Sequence, residues 1–346
     1  PNNFEPLFRI MKMDLKQLMS IAKLFTAHEL THALQDQEID LKASLHAITE
    51  NEVALSLNST IEGHAMLIME LVGRELNLDK SIIEASRLFA AGAFKFEDPA
   101  LQMMNKMIAM QFETIYLGGK RFMEYQFSKG GNDQLWKVLA NPPQRTSIIF
   151  NPETYSQGES PNTGPELKPL LAGLEMFLGT GSVQVQNVEV GMLSLQSAYA
   201  NMDSAKRQDL LDGLDRVQAL VVIATATRTM GNISLMQLKD PTRAKLLIAH
   251  LEEMANQNLE QLKKSSVMKV GDIQRGDVAS VTFPIARRLA FSLKEENAEA
   301  SRQVVYRFVK GNLIVECFDG NVRIPEALIA SLAQTIFQRY ENAGGK

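Results

Sequence analysis

One cysteine, Cys317, stands in 346 residues, so the chain cannot close a disulfide on itself or build a cysteine-rich zinc cage. Any metal it holds must sit on histidine and carboxylate, and there are only five histidines to search. Neither sign of charge dominates. Thirty-six Lys and Arg against 40 Asp and Glu leave a net charge of -4, with a pI near 5.9. No global basic field exists to attract phosphate backbones or anionic lipid, which argues against nucleic acid as a partner. No apolar run approaches the roughly 18–20 residues that span a bilayer, so no membrane span is expected. No basic-then-apolar leader opens the chain. Because the first residue is Pro1 rather than Met, the expectation is a processed product, secreted or in the cell envelope. Twelve Pro and 21 Gly are too few for collagenous or low-complexity architecture.

What remains is a chain with 45% apolar residues, long enough for two cores. From Asp14, a plausible N-cap, Leu15, Leu18, Met19, Ala22 and Phe25 recur at spacings of three and four. The pattern runs without Gly or Pro past His32, which predicts an amphipathic helix ending between Gln37 and Leu41. A second helix is predicted from Ala47 to Gly73, antiparallel to the first, with Ala54, Ile61, Ala65, Ile68 and Val72 facing inward. Further helices are expected over Ser81–Phe94 and Pro99–Phe127, the latter loosened at Gly118-Gly119, before Asn141-Pro142-Pro143 stops the run.

The polar stretch Tyr155–Gly164 marks the expected boundary between a helical domain, 1–157, and a second domain, 165–346. Beyond it, 219–227, 280–285, 288–293, 304–309 and 313–318 read as strands. Helices are expected over 204–218, 241–264 and 325–340. Lys310-Gly311-Asn312 reads as a tight hairpin. The fold class is therefore α+β: a mainly helical N-terminal domain, then an α+β domain with an antiparallel sheet.

The first helix contains His28-Glu29-Leu30-Thr31-His32, a match to H-E-x-x-H. Two histidines four residues apart lie one turn above each other, so both imidazoles can reach one Zn2+ at about 2.0–2.1 Å. Glu29 is turned about 100° from His28. Its carboxylate therefore stands beside the metal, outside its ligand shell, where it can take a proton from water and pass it to a leaving group. Chance spacing on a surface helix is the bland alternative.

A catalytic zinc needs a third protein ligand. Glu62, at the edge of the apolar face of the second helix, fits that need, and 30 residues from His32 suffice to turn and return alongside. His64 competes, but two residues along a helix turn roughly 200°, so the two cannot both face the metal, and Glu62 is the choice. Gly63 between them would let the two helices approach closely. Asp36, a turn beyond His32, is the expected acceptor for the outer N–H of that ligand. His46 and His250 read as structural.

The stretch Ala27–Leu41, AHELTHALQDQEIDL, resembles the signature of a bacterial family of zinc metallopeptidase-like proteins of zincin, gluzincin-type architecture. That family's E-G-D-A landmark is matched by Glu62-Gly63-His64-Ala65, with His64 in place of Asp, and the resemblance implies Glu62 as third ligand. A later landmark is matched by Tyr116, Gly119, Phe122, Gly130-Gly131 and Pro142-Pro143. The Glu and His that follow in the family are Ser147 and Asn151 here, which makes Tyr116 the candidate phenol for stabilising an oxyanion. The resemblance covers about Asp14 to Tyr155.

The function expected is that of a Zn2+-dependent hydrolase acting on peptide or protein, with His28, His32 and Glu62 on the metal and Glu29 and Tyr116 catalytic. The alternative is a non-catalytic binding or scaffold protein that keeps the site as a structural relic. A nucleotide-dependent enzyme is disfavoured, because Gly179-Thr180-Gly181-Ser182 lacks the remaining residues of either phosphate-binding fingerprint.

Overall fold

The computed structural model describes residues 15–41, 50–83, 98–156, 165–174, 183–224, 229–278, 283–295, 299–320 and 324–345. The chain divides into two compact units, 1–94 with 108–159, and 95–107 with 160–346. The protein is α+β.

In the first unit, helix α1 (Leu15–Ile39) buries Ile21, Leu24, His28, Thr31 and Gln35. Their spacing of three and four is the pattern that formed the helix. It ends where Asp40 turns to φ 46°, a conformation that Asp tolerates better than most side chains. The proposed cap Asp14 and the connection 42–49, with His46, lie outside the described residues. Helix α2 (Asn51–Glu75) runs antiparallel to α1. Gln35 of α1 bonds near Ile61 of α2, whereas Leu24, three turns earlier, packs with Met66 and Met69.

Helix α3 (Pro99–Phe112) leads through a π-helical turn, Glu113–Gly118, into helix α4 (Gly119–Ala140). The loosening expected at Gly118-Gly119 takes the form of a π-helical turn, wider than the α-helix on either side, that ends at Gly118. The break in the helix comes later, at Gly130 and Gly131, where Gly131 takes φ 62°. The helix stops at Ala140, before Asn141-Pro142-Pro143. Leu57, Ile61 and Leu67 of α2 share a core with Phe122, Met123, Leu135, Val138 and Leu139 of α4 and Ile149 of the short helix α5 (Thr146–Phe150). The expected helix over 81–94 lies mostly outside the described residues.

The second unit is built on a seven-stranded antiparallel sheet, order β1-β2-β3-β7-β6-β5-β4. The strands are β1 (Val183–Glu189), β2 (Leu214–Ala224), β3 (Thr229–Leu238), β4 (Met268–Asp277), β5 (Ile285–Glu295), β6 (Ser301–Lys310) and β7 (Leu313–Gly320). One face packs on helices α6 (Met192–Ala198), α7 (Ser204–Gly213) and α8 (Ala244–Leu262) through Leu210, Leu247, Ile248, Met236 and Ile314. The other packs on helix α9 (Glu326–Asn342) and the turn at Lys168–Leu171 through Ile336, Phe337, Leu171, Val315 and Cys317. Strands covered on both faces read as near-continuous apolar runs, which is why β6 and β7 were legible.

Three strands escaped the sequence. β1, β3 and β4 mix polar residues and glycine into their runs, as in MKVGDIQRGD. The helix expected over 204–218 stops at Gly213, and the chain enters β2 at Leu214. Residues 280–282 of the strand expected over 280–285, and the glycines at 179 and 181, lie outside the described residues. The hairpin at Gly311-Asn312 is present, with Lys310 paired to Leu313 and Gly311 at φ 58°.

Across one face of the sheet, Asp277, Arg287, Arg307 and Glu316 stand opposite one another on four adjacent strands. Arg287 bonds to Asp277, and buried Arg307 donates to Glu316 at 2.6 Å. Each acid neutralises the arginine beside it, so the charged row satisfies itself within the fold. Among the described residues no helix is long and apolar enough to cross a membrane.

Candidate metal centre

His28 is buried on α1, and His32, one turn on, is partly so. Their rings meet edge to face with centroids 4.6 Å apart. His28 Nε2 and His32 Nε2 lie 3.0 Å from each other. Glu62 of α2 brings its Oε2 to 3.2 Å from the first and 3.4 Å from the second. Among the described residues these three form the one cluster with the donor types and spacing of a metal site.

The donor set suits zinc. Ligands at about 2.0–2.1 Å in a tetrahedron lie about 3.3 Å from one another, the size of the triangle formed by these three atoms. Glu62 Oε2 is buried and, although close to both rings, receives no hydrogen bond of acceptable geometry. The three atoms thus lie close enough together for one ion to be shared among them.

Electrostatics tell the same story. Burial works to raise the Glu62 pKa, but the imidazoles of His28 and His32 facing it hold it down to about 2. Burial works to lower that of His32, and Glu62, Gln35 and the charge of Glu29 together raise it above its ordinary value. Both shifts come from the carboxylate and the two imidazoles facing one another.

The outer nitrogen of His32 is held by a residue the sequence reading passed over. His32 Nδ1 donates to Gln35 Oε1 at 2.8 Å. Gln35 is fully buried, and its Nε2 donates to Ile61 O at 3.1 Å and His64 Nδ1 at 2.9 Å. Asp36, expected in this place, is exposed. The i+3 position faces inward here and the i+4 position does not, because α1 turns its apolar side to α2 between Thr31 and Gln35. The spacing Leu24, His28, Thr31, Gln35 carries the signal, since Gln35 continues the inward face of the helix.

His64 faces away from the triangle, edge to face with Trp136 at 5.4 Å. Burial and the positive charge of His32 push its pKa down to about 4, so it stays neutral. Gly63 does not serve the contact between α1 and α2 as expected. It meets Gly119 of α4, where an added Cβ would fall 2.1 Å from a backbone carbon. That close crossing follows directly after the π-turn carrying Tyr116.

Tyr116 stacks against His28 at 6.3 Å between ring centroids and 28° between planes. On its other side Phe112 stacks at 6.0 Å. Short π-helical segments are frequent at functional sites because the extra residue re-aims a side chain. Burial, Glu62 and Glu29 raise the Tyr116 pKa, which keeps the phenol protonated and able to donate. Glu29 itself is exposed, yet its charge is felt by both His32 and Tyr116. His250 lies elsewhere, paired with Asp209 at 3.3 Å.

No protein-family model matches the chain, and no curated protein matches it. Among solved structures, the extracellular domain of PknH from Mycobacterium tuberculosis is similar over 51% of this chain and 98% of its own, at 12% identity and a TM-score of 0.33. A likeness that distant carries no argument about the site.

Proposed function

We propose that this protein is a zinc-dependent hydrolase of peptide bonds, with His28, His32 and Glu62 as the protein ligands. The observation that carries the reading is the triangle of 3.0, 3.2 and 3.4 Å between Nε2, Nε2 and Oε2. When bound, Zn2+ supplies Lewis acidity that polarises a carbonyl and makes water a better nucleophile near neutral pH.

The remaining chemistry falls to the chain. Glu29 sits one residue after a ligand, turned about 100° from it, with its carboxylate open to solvent. It takes the proton of the attacking water and returns it to the departing amine. Tyr116 donates its phenolic proton to the carbonyl oxygen as negative charge develops there. The stack of Phe112 on Tyr116 supplies an apolar wall beside the reacting group.

The resemblance of Ala27–Leu41 and Glu62–Ala65 to metallopeptidase-like proteins supports the same reading. Metal analysis of the purified full chain, followed by hydrolysis of a quenched peptide library with and without chelator, tests it. About one zinc per chain and chelator-sensitive cleavage are expected. Zinc without cleavage would favour a metal-holding scaffold, and neither zinc nor cleavage would overturn the reading altogether.

A further inference from the structure

The carboxamide of Gln35 touches a proposed ligand on α1 at one end and two groups one turn apart on α2 at the other. It is fully buried, so its two ends cannot exchange with water. The Nε2 end is committed twice, to Ile61 O at 3.1 Å and to His64 Nδ1 at 2.9 Å. Ile61 O can only accept, so an amide flipped end for end would set its oxygen against that carbonyl and leave its N–H groups against His32. The orientation is thereby locked from α2, leaving Oε1 facing His32 Nδ1 at 2.8 Å.

We propose that Gln35 is a positioning residue for the metal: anchored by Ile61 and His64, it keeps the proton of His32 on Nδ1 and so leaves Nε2 bare and aimed at the ion. This rests on the metal-centre reading above and deepens it. An acceptor behind a ligating histidine fixes both its tautomer and its ring angle, and loss of such a partner costs about 10–100-fold in metal affinity. Here the acceptor is a neutral amide rather than the usual carboxylate or backbone carbonyl, and an amide alone has a wrong orientation to exclude. The Ile61 carbonyl supplies that exclusion, and His64 Nδ1 lies against the same amide nitrogen.

The full chain is compared with Gln35→Leu and Gln35→Glu. Zinc affinity is measured by competition with a chromogenic chelator at one pH where circular dichroism shows all three folded. The tautomer of His32 in the metal-free protein is read by long-range 1H–15N NMR. The parent is expected to show the Nδ1–H form. Gln35→Leu, which removes both ends, is expected to mix the tautomers and weaken zinc about 10–100-fold. Gln35→Glu keeps the acceptor toward His32 and loses the two donated bonds to α2, so it should hold the tautomer and stay within a few-fold of the parent. A residue that merely tied the helices together would give the reverse, with Gln35→Glu as weak as Gln35→Leu. The proposal is overturned by that result, by an Nε2–H form in the parent, or by Gln35→Leu binding as tightly as the parent. Should the parent take up no zinc, the reading of the site fails separately, and the tautomer measurement still decides the role of Gln35.

Discussion

Gly63 of α2 and Gly119 of α4 pack backbone against backbone. A Cβ built on Gly63 would lie 2.1 Å from the Gly119 carbonyl carbon, and one built on Gly119 would lie 1.9 Å from the Ser59 oxygen. Neither gap is relieved by turning a side chain, since both obstacles are main chain. The crossing holds Glu62 and the π-turn of Tyr116 against one another from neighbouring positions on two helices.

Alanine at either glycine therefore forces α2 and α4 apart. Gly63→Ala and Gly119→Ala are each expected to cost about 3 kcal/mol, the upper range for overpacking, read as a lowered denaturant midpoint. An unchanged midpoint would show that the helices are not in contact there.

Glu29→Gln removes the proton acceptor while leaving the ligand triangle intact. Zinc content should match the parent, and kcat on a peptide substrate should fall by about 10²–10⁴-fold, the usual contribution of a positioned acid–base group. Steady-state kinetics on zinc-replete protein decide it; equal turnover would remove Glu29 from the mechanism.

Tyr116→Phe keeps the stack with His28 and Phe112 but deletes the donor. The expectation is a drop in kcat of about 10²-fold with KM little altered, because the bond strengthens only as charge develops on the oxygen. A change confined to KM would make Tyr116 a wall of the site and nothing more.

Zinc binding should weaken as pH falls through the neutral region. His32 titrates above its ordinary 6.5, since Glu62, Gln35 and Glu29 outweigh the effect of burial, so the proton that zinc must displace is already bound at mildly acidic pH. Affinity is expected to fall about tenfold per pH unit below that pKa, measured by chelator competition. Affinity constant from pH 8 to 5 would contradict a histidine-bound ion.

His64 has the opposite sign. Its pKa is lowered to about 4 when folded, so the unfolded chain binds the proton first as pH drops below about 6.5. The stability it contributes is complete above that value and is lost between there and about pH 4, roughly 3 kcal/mol in all. Denaturant unfolding of the metal-free protein across this window checks the loss, and His64→Gln should flatten this part of the profile.

The local chemistry of the site could be read from the chain because it depends on neighbours along a helix. His28 and His32 share a face by the pitch of the helix alone, and Glu29 stands beside them for the same reason. The covered strands β6 and β7 were legible as well, since apolar residues in an uninterrupted run need burial on two sides. Strand β4 was not, for Gly271, Gly276 and its charged residues carry little β preference, and pairing with β5 rather than propensity holds it in the sheet.

Residues distant in sequence were another matter. That Gln35 rather than Asp36 stands behind His32 follows from which side of α1 meets α2, and that Gly63 serves α4 rather than α1 follows from a third helix absent from any pairwise reading. Sequence by itself determined the α+β composition, the helix bearing H-E-x-x-H and Glu62 as the candidate third ligand. Only the tertiary structure decided how closely Glu62 approaches, what stands behind His32 and where Tyr116 lies, because helical periodicity fixes angles within one element whereas the meeting of elements depends on packing between them.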